Sequence, residues 1–258
     1  MTDGPADLSR RGFGLGLLAV LLLAAVVRGL YPAADPPWTT TVGIVWHDEG
    51  AWVHNARNKA LFGAWTLDAW NPVYIAPVFT ALEYGSFRLF GVGVRQARLV
   101  SEVCGLASVW LLALGVARVG GRRAGLIAGS LLATHYVYVM WNRAALMEGP
   151  MVALMVAAWY CYARAWTAPR WGAGAALFAV LAFFTKASAA FFVGILALDA
   201  LLAFIGLFSD GPTESTTYRK GECPRWVVGG LAACAALALV LFVAPHWSEY
   251  RFTTGRCR

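Results

Sequence analysis

Charge is what this sequence has least of. Of its 258 residues, 21 are Lys or Arg and 14 are Asp or Glu, so 14% are charged against 59% hydrophobic. A soluble domain carries about a quarter charged residues. The deficit here comes from long uncharged runs, and the mean hydropathy is +0.60. Short alternating polar and apolar segments are also missing, which excludes a closed membrane barrel. Cysteine is sparse: Cys104, Cys161, Cys223, Cys234 and Cys257 form no CxxC pair. Three lie in apolar runs, where a thiol behaves as a small hydrophobe, so neither a disulfide framework nor a zinc site is read from them. The formal charge of +7 raises the question of nucleic acid. The basic residues sit mostly at the ends of apolar runs, where they set membrane orientation, and nucleic-acid binding is set aside. What remains is an all-α integral membrane protein.

The apolar runs order the chain. Residues 12–30, "GFGLGLLAVLLLAAVVRGL", follow Arg10 and Arg11 and form the first span, retained rather than cleaved, with a cytoplasmic N-terminus. Residues 31–100 form a long first outer loop. Within it "DEGAWVHNARNKALFG" predicts a short amphipathic helix with Ala51, Ala56, Ala60 and Leu61 as its apolar stripe and Gly63 as its stop. "NPVYIAPVFTALEYGSFRLFG" reads as an interfacial segment, because Glu83 and Arg88 interrupt it. Further spans are expected at 101–117, 124–141, 150–166, 171–185, 188–208 and 227–244, with a polar loop at 209–226. The expected inner segments hold Arg10, Arg11, Arg118, Arg122, Arg123, Arg164, Arg170, Arg219, Lys220 and Arg225, whereas the short outer turns hold only Arg143 and Lys186. Several spans fall short of the roughly 20 residues that cover a bilayer, so small-residue faces and tight bundling are expected. Residues 1–258 read as a single transmembrane domain, with about seven transmembrane helices and no internal repeat.

In this topology Asp48, Glu49, Arg143, Glu148 and Lys186 come from separate segments to one membrane face. An acid there can take the proton of an acceptor hydroxyl, and a basic group can hold a phosphate leaving group. Each has a structural reading too. Asp48 and Glu49 form a solvated cap, Glu148 complements a helix dipole, and Arg143 snorkels to the interface. His47 and His54 match no strong metal motif, and metal dependence stays open. His135 reads as an interfacial belt residue, and Asp199 as the acid deepest in an apolar run. Trp38, Trp46, Trp52, Trp65 and Trp70 suit a membrane interface.

The order of motifs resembles a known family. "HDEG" stands in a long outer loop, followed by an aromatic "P-x-Y" segment and by "FG" and "ARL" at the entry to the second span. "GRRAG" at the next turn and "R-x-A-L-x-E" in the next outer loop complete the pattern. Together they resemble the family 39 glycosyltransferases of the GT-C fold, which include protein O-mannosyltransferases and bacterial aminoarabinose transferases. The resemblance covers residues 10–250 or so. It implies a GT-C type multi-helix bundle, a polyprenyl-phosphate sugar as donor, and an inverting transfer in one displacement on the outer face of the plasma membrane. By the same resemblance Asp48 matches the general base, Glu49 a second acid that helps position substrate, and Glu148 an acid that organises the site. Arg143 matches a basic residue of the same loop, and Lys186 in "TKA" a basic position suited to a lipid phosphate. Asn71 stands where many relatives carry a lysine, and "TKA" replaces "TKG".

Members of the family are longer than this chain, so it is expected to be the N-terminal part of a larger module, completed by a missing C-terminal half or a partner subunit. The expected partners are membrane lipid, the lipid-linked sugar, and an acceptor protein, lipid or glycan; no covalently bound cofactor is expected. Two rival readings stand beside the transferase: a truncated non-catalytic membrane subunit, and a transporter of lipid-linked sugar, for which Asp199 would line the path.

Overall fold

A serine fixes where the first helix begins. Ser9 Oγ accepts the N–H of Gly12 at 3.0 Å, and helix α1 (Arg10–Gly29) follows. The computed structural model describes residues 8–32, 47–65, 73–205 and 222–248. Among these residues all regular structure is helical. After α1 come α2 (His47–Phe62), α3 (Pro77–Phe90), α4 (Val94–Thr134), α5 (Tyr136–Asn142), α6 (Glu148–Ala165), α7 (Trp171–Thr185), α8 (Ala190–Phe204) and α9 (Glu222–Ala238). A 3-10 turn (Ala187–Ala189) leads into α8, and a π turn (Leu239–Val243) extends α9.

Among the described residues, three helical stretches are long and apolar enough to cross a membrane: Arg10–Gly29, Val94–Thr134 and Arg225–Val243. Trp171–Thr185 and Ala187–Ala203 are apolar but shorter. The stretch of α4 contains the expected span 101–117 and the larger part of the span expected at 124–141, whose last residues form α5. Gly121, at φ 87° and ψ 162°, breaks the helix between them. A positive φ is inexpensive only for glycine, so the reversal falls there. The arms then fold back on each other: a Cβ on Gly125 would lie 2.5 Å from the Ala113 carbonyl oxygen, and one on Gly129 3.0 Å from the Ala113 Cβ. The absence of side chains at these glycines is what lets the backbones approach.

Packing pairs show the direction of each pass. Gly16 faces Leu126 and Val20 faces Gly129, so α1 runs parallel to the second arm of α4. Gly149 faces Ser101 and Gly115 faces Trp159, so α6 runs parallel to the first arm. Gly172 faces Trp226 and Val227, and Gly230 faces Ala176, so α7 and α9 are parallel. The expected small-residue faces are present. Helix α6 buries Gly149, Ala153, Ala157, Ala158, Cys161 and Ala165, and α7 buries Gly172, Ala175, Ala176, Ala179 and Ala182.

The loop helices lie near their expected places. α2 ends at Gly63, whose N–H bonds the Lys59 carbonyl at 3.1 Å with φ 76°. Ala56 is buried and Ala60 packs beside it, but Leu61 is 54% exposed, so the apolar stripe is shorter than the sequence suggests. Helix α3 buries Phe79, Thr80, Glu83, Ser86 and Phe87, the spacing of one helical face. Arg88 is exposed but Glu83 is not. The helix that holds the second candidate membrane stretch begins at Val94. The expected loop 209–226 and the tail after residue 248 lie mainly outside the described residues, as do Trp38, Trp46 and Trp70.

Candidate functional site

The end of the bundle that holds the C-terminus of α1 also gathers the sequence-predicted residues. Asp48 and Glu49 occupy the first turn of α2. Asp48 is exposed, and a carboxylate there complements the positive end of the helix. Glu49 points the other way and is 3% exposed. Arg98 donates to it through both Nε (2.9 Å to Oε1) and Nη2 (2.8 Å to Oε2). The backbone N–H of Ala145 adds a third bond to Oε1 at 2.6 Å. Such a forked pair with an extra donor offsets the cost of burying two charges. Arg98 Nη1 also bonds the Pro32 carbonyl at 3.1 Å. One carboxylate thus ties α2 to α4 and to the turn before α6.

That turn carries two more predicted residues. Arg143 does not reach into open space. Its Nη1 donates to the carbonyls of Val27 (2.9 Å) and Arg28 (3.2 Å), and its Nη2 to that of Tyr31 (3.2 Å). The last carbonyls of a helix have no partner inside it, and a guanidinium at that point satisfies them and suits the dipole. Arg143 therefore holds the end of α1. Glu148 opens α6 and forms an ion pair with Lys186, which follows α7. The two side chains are 27% and 32% exposed, so this pair meets solvent where Glu49–Arg98 does not.

A second buried cluster, not anticipated from the sequence, lies beneath. Arg28 is 1% exposed; its Nε donates to Asn142 Oδ1 at 3.0 Å and its Nη1 to the Ala133 carbonyl at 3.0 Å. Ser101 Oγ donates to the Leu146 carbonyl at 3.0 Å. These bonds fix the short helix α5 and the 143–147 turn against α1 and α4. Glu83 on α3 is 0% exposed, and neither carboxylate oxygen has a hydrogen-bond partner among the described residues. Burial, and then the nearby Glu49 charge, push its carboxyl well above the ordinary range.

A cavity of about 350 Å³ adjoins Glu49. Glu49, Gly50, Val53 and Arg57 of α2 form one wall, with Phe87 and Ala97 among the residues opposite. It is large enough for a small ligand or part of a larger one. No group of three His, Cys, Asp or Glu that could hold a metal ion occurs among the described residues. His54 Nδ1 lies 2.7 Å from the Ala51 carbonyl, and His135 Nδ1 accepts the Tyr138 N–H at 3.2 Å as the cap of α5. Asp199 is exposed on α8 and accepts a hydrogen bond from Tyr162.

The structure thus brings Glu49, Arg143, Glu148 and Lys186 to one end, with Asp48 at the surface beside them. Besides the buried cluster, sequence reasoning missed Arg98. Its signal was present in the "ARL" motif at 97–99, which was read only as a helix entry. Comparison with known proteins gives one family match. Residues 74–209 match the model of the dolichyl-phosphate-mannose-protein mannosyltransferases. No curated protein and no solved structure matches the chain.

Proposed function

We propose a reaction for a chain that belongs to the dolichyl-phosphate-mannose-protein mannosyltransferase family. Membership makes it a membrane glycosyltransferase of the GT-C type. The donor is a polyprenyl-phosphate sugar and the acceptor a hydroxyl of a protein, lipid or glycan. Asp48 takes the acceptor proton. The acceptor oxygen forms its bond to the anomeric carbon as the bond from that carbon to the phosphate oxygen breaks, with inversion. The phosphate leaves on its lipid, and Lys186 turns from Glu148 to hold the developing charge. Glu49 acts through Arg98 and Ala145 by fixing α2, and Arg143 by fixing the end of α1.

The observation that carries this reading is the Glu49–Ala145 bond. It brings the turn holding Asp48 against the segment that begins at Arg143 and leads to Glu148 and Lys186. Orientation follows from charge. The opposite end of the bundle holds Arg10, Arg11, Arg118, Arg122, Arg123, Arg164, Arg170 and Arg225, and basic residues concentrate on the cytoplasmic side. With about seven spans, the N-terminus is then cytoplasmic and the site faces outward from the plasma membrane.

The test is Asp48→Asn in the full-length protein, in vesicles supplied with dolichyl-phosphate mannose and scored by release of the lipid phosphate. Transfer is expected to fall about 10²- to 10⁴-fold, with membrane insertion and thermal stability unchanged. An undiminished rate would exclude Asp48 as the base.

A further inference from the structure

The buried face of α3 holds a carboxyl that the proposed reaction does not use. Phe79 packs with Trp52 and Val53 of α2 and with Met147, while Phe87 packs with Ala56, Ala97 and Ala145. Glu83 lies between them, one helical turn from each, on the face that docks α2 and the 145–147 turn. It is fully buried and unpartnered among the described residues. Arg98, the cation bonded at this junction, is already engaged by both oxygens of Glu49. A second negative charge here would stand against Glu49 with no hydrogen-bond partner of its own among the described residues.

We propose that Glu83 is a positioning residue for the first-loop acid: its uncharged carboxyl lets α2 dock, and its ionisation releases α2 and, with it, Asp48. The ionisable groups at this end of the neighbouring elements are His47, Asp48, Glu49, His54, Arg57 and Lys59 of α2, Arg95, Arg98, Glu102 and Cys104 of α4, Arg143 and Glu148 on either side of the 145–147 turn, and Lys186 after α7. Of these, Glu49 and Cys104 interact electrostatically with Glu83, and neither supplies positive charge. The docked state therefore binds the Glu83 proton more tightly than the released state, where the carboxyl meets water. Docking weakens as pH rises from the ordinary carboxylate range towards the raised folded value, and it is undiminished below that range.

The catalytic half of this inference rests on Asp48 being the base; the docking half does not. The experiment is hydrogen exchange of the α2 amides in the full chain across that pH window, corrected for the intrinsic rise of exchange with pH. The wild-type protein is expected to lose α2 protection close to tenfold per pH unit, the slope of one proton. Glu83→Gln should be flat, and Glu83→Met serves as a second neutral variant of similar size. A flat wild-type profile overturns the proposal without any variant, as does the same slope in a neutral variant. Transfer measured alongside should extend to higher pH in Glu83→Gln. If no transfer is detected in any form, the assigned reaction fails while the exchange result still decides the role of Glu83.

Discussion

Two ion pairs join the same end of this bundle, and they are built for different purposes. Glu49–Arg98 is forked, reinforced by the Ala145 N–H, and sealed, with side chains 4% and 1% exposed. Glu148–Lys186 is a single contact between side chains about a third exposed. A sealed pair is shut off from solvent and ligand by its burial, and removing one partner strands the other in a medium that cannot solvate it. A partly exposed pair loses little when a phosphate replaces the carboxylate, because water already shares its charge. The contrast separates framework from working surface better than residue type does, since both pairs are an acid with a base.

The largest effect should come from breaking the sealed pair. Arg98→Ala leaves Glu49 buried and unpaired, and is expected to destabilise the protein by about 3–5 kcal/mol. Thermal unfolding in detergent reads this directly. The double variant Glu49→Gln/Arg98→Met should recover most of the loss; if it does not, the pair is more than a frame. A smaller effect is expected from Gly105→Ala. The new Cβ would collide with Asn142 Oδ1 and lie 2.9 Å from Arg28 Nε, disturbing the cluster beneath the site. Overpacking of this kind costs about 1–3 kcal/mol. A variant as stable as wild type would mean that the Arg28–Asn142 bond gives way readily. The smallest stability change, about 1 kcal/mol or less, is expected for Lys186→Ala. Its signature is functional: KM for the lipid-linked donor should rise while the melting temperature stays put. A melting temperature that falls as far as for Arg98→Ala would erase the distinction between the pairs.

Much of this organisation was legible in residue patterns, and the reasons it stopped are physical. Hydropathy found α1 and the two arms of α4, because a lipid-facing surface must be apolar along its whole length. The break between those arms was marked by "GRRAG", where glycine permits the reversal and the arginines favour one membrane side. Glu148 and Lys186 were assigned to one face by counting turns, and they pair. Direction is what the pattern could not supply. Asp48 and Glu49 are adjacent and chemically alike, yet one is exposed and the other buried against an arginine 49 residues away. Arg143 reads as a surface cation until the bare carbonyls at the end of α1 are seen beside it. Glu83 reads as the reason α3 stays at the surface, whereas the structure hides it completely. Asp199, the acid required by the transporter reading, is exposed and bonded by Tyr162.

The reversal at Gly121 bears on how the protein is made. Its two arms touch through glycine and alanine with almost no side chain between them, and only a few residues separate them along the chain. A contact that local closes quickly, because little loop entropy opposes it. The arms can therefore partition into lipid as one hairpin, with the arginines of the turn held together at one end. Helix α1, which touches both arms, then meets them as one surface instead of two separate partners.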